Sequence, residues 1–335
     1  MQRERRTDTV RLAANPTYWN RARGPRLAAV EFRNDVPLDR ALDLVCESEG
    51  EVDLVTEVPA ACARRVSDSP HARLVAVDAF RVLAGAFDRD SMELPLQDVR
   101  ARRALNLAID RAALVEGSLH GHARPLSGLT PNVPLTGAVL VPDRLRPYPH
   151  DPSRAAELWR AASGSGGRVL RLAVLAPWAA VAAQVAAQLE SALPLTVDVE
   201  VLDAERECEV RRRLAAKDGP QGWHVLLLDQ GAQSADAPPL ELHRAFAGRT
   251  GEFRSGPVIS RFEELYARMA AQTGPVRQAL AANWVDRYTT RQALALFLVA
   301  PQALYAVNRQ VDFRPYRTTF ELADTSVNPT HWSRR

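Results

Sequence analysis

The chain has 335 residues, of which 46% are hydrophobic and 25% charged, and its formal net charge is +3. That length suits two domains and supplies a sizeable core, and the composition is that of an ordinary folded protein. So small a net charge singles out no partner class.

The basic residues are almost all arginine, with Lys217 the only lysine. The N-terminus has the charged start of an export signal without an apolar run behind it, and no window is apolar enough to span a bilayer. As written, the chain is expected in the cytoplasm, or in the periplasm or outside the cell if the true start lies upstream. Cys46, Cys62 and Cys208 are too widely spaced for a metal or redox pair and read as small buried residues.

In chain order, residues 9–13 form a candidate strand running into Asn15-Pro16. Leu38, Ala41, Leu42 and Val45 follow helical spacing. Residues 52–55 alternate as a strand, with strand-like runs at 73–77 and 81–87. Asp98 is placed to cap one helix over Val99 to Glu116. Residues 118–149 read as a long loop. Asp151-Pro152 opens a second capped helix that ends at residues 164–167. Then come a strand at Leu170, Leu172 and Val174, a helix over 178–193 and a strand at Val197, Val199 and Val201. A charged helix over 204–217 and an apolar strand over 223–229 complete the run. Strand, helix, strand, helix, strand predicts an α/β lobe with parallel strands, whose ligands sit beyond the carboxyl ends of those strands. Helices over 261–273 and 275–291 precede strands at 294–299 and 302–308. The tail from Asp312 reads as irregular.

Few residues announce chemistry. Gly164, Ser165, Gly166 and Gly167 close a helix and precede a strand, the reverse of a phosphate loop. His120 and His122 lack neighbouring metal ligands. No nucleophile elbow or zinc-hydrolase motif occurs, and no cofactor is expected. Glu49, Glu51 and Asp53 read as a solvated strand face. Arg100, Arg102, Arg103 and Arg211 to Arg213 read as solvated helix faces, with no aromatic interleaving to suggest nucleic acid.

The order of short segments is more specific. Asn15-Pro16-Thr17-Tyr18-Trp19 resembles the Asn-Pro-x-Tyr-Trp segment of family 5 bacterial solute-binding proteins, the dipeptide-, oligopeptide- and nickel-binding group. Residues 49–53, Asp98-Val99-Arg100-Ala101-Arg102, Ala108-Ile109-Asp110-Arg111, residues 121–125 and Tyr148 to Pro152 resemble further motifs of that family in the same order. The resemblance implies an α/β, periplasmic-binding-protein type 2-like fold, with two lobes of mixed sheets and the first lobe reduced. The expected parts are a partial first lobe (1–124), a second lobe (125–300) and a return segment (301–335).

It also implies a small molecule or peptide held in an interlobe cleft. The third strand of the second lobe runs in the relatives into a Gly-Trp-x-x-Asp segment, and here the matching stretch is Leu228 to Asp236. Asp229, Gln230, Gln233 and Asp236 are therefore the expected polar anchors, with Trp178 as an apolar or stacking wall. Equally, the two aspartates suit turn caps and Trp178 a core position. The tryptophan of that motif is missing, and Ala176-Pro177-Trp178 has no arginine for a peptide carboxylate. A role outside classical periplasmic uptake is therefore expected. An enzyme on the repurposed cleft, or a regulatory or assembly subunit, is the alternative. Nucleic acid is not expected as a partner of this chain alone, nor a membrane. A second copy or another polypeptide could cover the reduced lobe's open edge.

Overall fold

The computed structural model describes residues 9–20, 22, 24–48, 50–131, 145–164, 167–217, 221–232, 238–315, 322 and 324–334. In chain order the elements are β1 (Thr9–Ala13), β2 (Ala29–Arg33), α1 (Leu38–Glu47), β3 (Leu54–Val55), α2 (Ala63–Ser67), β4 (Ala72–Asp78) and β5 (Arg81–Phe87). Then follow α3 (Val99–Leu107), α4 (Arg111–Glu116), β6 (Ala123–Pro125), α5 (Pro152–Ser163), β7 (Arg168–Leu175), α6 (Ala179–Ala192), β8 (Leu195–Leu202), α7 (Ala204–Ala216) and β9 (Val225–Gly231). The chain closes with α8 (Pro238–Ala247), α9 (Ser260–Ala270), α10 (Pro275–Arg291), β10 (Ala295–Asn308), β11 (Val311–Asp312) and β12 (Ser326–Val327).

These elements form two compact units, one of residues 78–302 and one of residues 1–77 with 303–335. In the larger unit the strands lie in the order β10, β5, β9, β7, β8. β7 runs parallel to both β8 and β9, while β5 runs antiparallel to β9 and β10. The alternating apolar residues explain why both faces are covered. Leu83, Leu172, Val174, Val225 and Leu227 face α3, α5 and α6, whereas Val82, Ala84, Leu226, Leu228 and Phe297 face the side of α7 and α8. Residues 78–124 belong to this unit because β5 is an inner strand of its sheet, held between β10 and β9.

Gly85 shows how tightly that centre is filled, since a Cβ there would lie 2.7 Å from Val225 Cγ1 and 2.9 Å from Leu296 Cβ.

In the smaller unit β3 pairs with the second half of β10, and Leu42, Val45, Val58 and Val66 pack beside Ala306. β1 and β2 form an antiparallel ribbon. Asp53, expected on a solvated strand face, instead gathers contacts. Its Oδ1 accepts from Asn308 Nδ2 (3.1 Å) and Trp332 Nε1 (2.9 Å) and lies 2.9 Å from His331 Nε2. The tail read as irregular thus contributes β11, β12 and a turn fastened to this carboxylate.

Local departures have simple causes. The single helix expected over Val99 to Glu116 is two, because Asp110 caps a second start by accepting from the Ala113 amide at 3.0 Å. The two strands expected at 294–299 and 302–308 are one, β10. Pro301 is tolerated because its pairing to β5 stops at Val299, so its missing N–H breaks no bond on that side. Cys46 is buried as expected, but Cys62 is half-buried and Cys208 exposed on the charged α7.

Candidate functional site

The carboxyl ends of β7 and β9 lie side by side, since Val174 pairs with Leu227 in parallel register. Beyond β7 the chain makes a tight turn over Ala176–Trp178 before α6 begins at Ala179. Trp178 is half-buried and packs against the core beneath it. Asp229 lies near the end of β9. Leu83 is its register partner, and Gly231 is that of Arg81. Arg81 and Asp229 are therefore diagonal neighbours on one sheet face.

They form a two-pronged pair. Arg81 Nε donates to Asp229 Oδ1 at 2.5 Å and Nη2 donates to Oδ2. The guanidinium carbon also lies 5.9 Å from the centre of the Trp178 ring, close enough for a cation–π contact. The Asp229 side chain is only 9% exposed and that of Arg81 24%.

Of the expected anchors, the structure brings together Asp229 and Trp178. Gln230 follows Asp229 in the strand and projects to the opposite sheet face, where its Nε2 donates to the Gly231 carbonyl at 3.1 Å. Gln233 and Asp236 lie outside the described residues. Arg81 was not singled out from the sequence, because its link to Asp229 spans 148 positions. Its position as first residue of an apolar strand was the one available signal.

The family-like arginines have another role. Arg102, read as part of a solvated face, is 4% exposed. Its guanidinium donates to the carbonyls of Ala293 (2.9 Å), Leu96 (2.7 Å), Gln97 (2.9 Å) and Gln292 (2.8 Å). Arg111 does the same around Phe297 and Asn106. Arg100 is exposed and pairs with its neighbour Asp98, whereas Arg103 is half-buried and its Nε donates to the Arg291 carbonyl at 2.9 Å. His122 packs on Gln302, with Nδ1 3.3 Å from Oε1.

The opposite end of β9 holds a depression of about 360 Å³, lined by Asp90, Lys217, Gln221, Arg254 and Ser255 among others. Lys217 ends α7 in the left-handed conformation, and its Nζ donates to the carbonyls of Gly251 and Arg254. Burial, helped by Arg254, lowers its pKa. Asp88 beneath is fully buried and accepts from the Gln221 amide (2.8 Å) and Ser255 Oγ (2.5 Å), and burial raises its pKa. These groups hold the loop to the sheet, which makes the depression a structural knot.

His224, at the start of β9, carries a pH dependence. Its Nδ1 accepts from the Arg171 amide at 2.9 Å, which places the proton of the neutral ring on Nε2, 3.3 Å from Glu93 Oε2. Burial, and then Arg171, lowers its pKa below the ordinary 6.5. Below that value the unfolded chain takes up a proton that the folded ring resists. This contribution to stability is thus whole above the unfolded value and is lost as pH falls towards the folded one. Melting temperatures from about pH 8 to about pH 5 should fall more steeply for the native chain than for His224→Asn, and equal slopes would refute the assignment.

The comparisons agree with this architecture. The family model described as "Bacterial extracellular solute-binding proteins, family 5 Middle" matches residues 1–240. The glutathione-binding protein GsiB of Pectobacterium atrosepticum is 27% identical over 161 residues, 48% of this chain and 29% of the relative. GsiB of Escherichia coli strain K12 is 25% identical over the same length, 30% of that relative. The chain thus spans about a third of the curated relatives it matches.

Among solved structures, the ABC transporter substrate-binding protein CtaP of Listeria monocytogenes superposes with a TM-score of 0.77 at 15% identity, over 96% of this chain and 64% of that one. DppA of Helicobacter pylori in complex with peptide STSA gives 0.74 at 16% identity, over 96% and 60%. NikA of Staphylococcus aureus in complex with Ni(L-His)2 gives 0.73 at 14% identity, over 98% and 68%. The mixed α/β fold is that of the type 2 periplasmic binding proteins. With its ordered motifs, its family match and this fold in agreement, the chain belongs to the bacterial extracellular solute-binding proteins, family 5.

Proposed function

We propose that the larger unit binds a short peptide or peptide-like solute at the carboxyl ends of β7 and β9. Arg81, Asp229 and Trp178 form its contact surface. The observation carrying this reading is the Arg81–Asp229 pair set against the Trp178 ring, where ligands of parallel α/β sheets bind. A carboxylate and a guanidinium held side by side offer complementary partners to the two charged ends of a peptide. Pairing them also lessens the cost of keeping either charge half-buried while the site is empty. Peptide is the substrate class suggested by the peptide complex of DppA and by the glutathione-binding relatives.

The test is titration calorimetry of the full chain with glutathione and a panel of di- to tetrapeptides. At least one should bind, with affinity falling about tenfold or more in Trp178→Ala and in Arg81→Ala, since each removes a partly desolvated contact. No binding across the panel, or binding unchanged in both variants, would overturn the proposal.

A further inference from the structure

Helix α10 has more apolar surface than its own fold uses. Its inner side is satisfied, because Ala282 and Val285 pack with Phe262 and Met269. Its one acid, Asp286, is fully buried and faces His243. The outer side carries Val276 (53% exposed), Leu280 (57%) and Trp284 (64%). Their spacing of four places them on a single ridge. Arg277, Arg287 and Arg291 are exposed on the same arc, and the Arg287 guanidinium carbon lies 5.5 Å from the centre of the Trp284 ring.

Single exposed apolar residues need no explanation, but a contiguous ridge of three marks an interaction surface. Charge narrows the choice of partner. A second copy packed on this ridge would set arginine against arginine, since the one acid of the helix is buried. A protein interface usually brings a rim of varied hydrogen-bonding groups, whereas among the described side chains of this helix the exposed ones are valine, leucine, tryptophan and arginine. That composition suits the boundary of an anionic bilayer. Indole rings favour the headgroup level, arginine stems cover apolar surface while their heads stay at phosphate, and short apolar side chains enter the acyl edge.

We propose that the outer face of α10 docks on a membrane surface bearing anionic lipid. This is surface association only, since no helix among the described residues is long and apolar enough to cross a membrane. It is independent of the peptide site, from which it shares no residue.

The test is co-sedimentation of the full chain with vesicles of phosphatidylglycerol and phosphatidylcholine in equal parts, and with vesicles of phosphatidylcholine alone. Binding is expected to the anionic vesicles, weakened by salt, and reduced about fivefold for each of Arg277→Gln and Arg291→Gln. Leu280→Ser with Trp284→Ser should abolish it, while the melting temperature stays near that of the native chain because these side chains are exposed. Failure to bind anionic vesicles, or equal binding to both kinds, would overturn the proposal. So would unchanged binding in the variants, or a dimer in solution that the double variant dissolves.

Discussion

Replacing Arg111 by methionine should destabilise the larger unit by about 4 kcal/mol and lower its melting temperature by about 10 °C. Arg111 is 4% exposed. Its Nε donates to the Phe297 carbonyl at 2.7 Å, and Nη1 donates to the carbonyls of Asn106 and Ile109 (both 3.1 Å) and Tyr148 (3.3 Å). Nη2 reaches Asn106 Oδ1 at 3.2 Å. Methionine fills much of the volume but donates nothing, so acceptors from α3, β10 and the segment before α5 are stranded together. Burial lowers the Arg111 pKa to about 10, which still leaves it charged at neutral pH. Arg111→Lys should recover only part of the loss, because one ammonium cannot span the forked arrangement. Thermal melts of both variants decide the matter. A fall of less than about 2 °C in Arg111→Met would show that water or rearrangement satisfies those carbonyls.

Asp286→Ala should cost about 3 kcal/mol and free the segment after β6 while leaving the sheet intact. Asp286 Oδ1 accepts from the Thr130 amide at 3.1 Å and lies 3.1 Å from His243 Nε2. Both side chains of the Asp286–His243 pair are fully buried. Removing the carboxylate leaves an amide and a ring nitrogen without their acceptor, in a place water does not readily reach. Gly128 is part of the same lock, since a Cβ there would sit 2.5 Å from Asp286 Oδ1. Gly128→Ala should therefore produce a similar loss by displacing the carboxylate. Hydrogen exchange at the Thr130 amide is the discriminating measurement. It should quicken markedly in both variants, and by more than exchange in β5 and β9, and protection unchanged at Thr130 would refute the lock.

Much of the α/β unit was legible in the sequence because its signals are local. The alternation at Leu170, Leu172 and Val174, the caps at Asp98 and Asp151 and the alanine-rich run before Leu193 each act within a few residues. What escaped was set by partners far along the chain. α8 went unseen because Pro238 and Pro239 hide its start, and β2 because its pairing with β1 bridges the loop of residues 14–28.

Half of the candidate site was legible in the same way. Strand order alone pointed to the ends of β7 and β9, which picks out Trp178 and Asp229. It could not show that Gln230 leaves on the other sheet face, which depends on where β9 starts and thus on its register with β5. Nor could it show that Asp229 is held by Arg81.

By itself, then, the sequence determined the order of the elements, the family and the location of the strand ends, because helical spacing, alternation and capping are properties of neighbouring residues. Only the tertiary structure decided what the charged residues do. A guanidinium on α3 looks the same in sequence whether it pairs with a carboxylate at the surface, as Arg100 does, or meets four carbonyls in the interior, as Arg102 does. The difference is burial, and burial follows from packing against segments such as residues 292–297, nearly two hundred positions away.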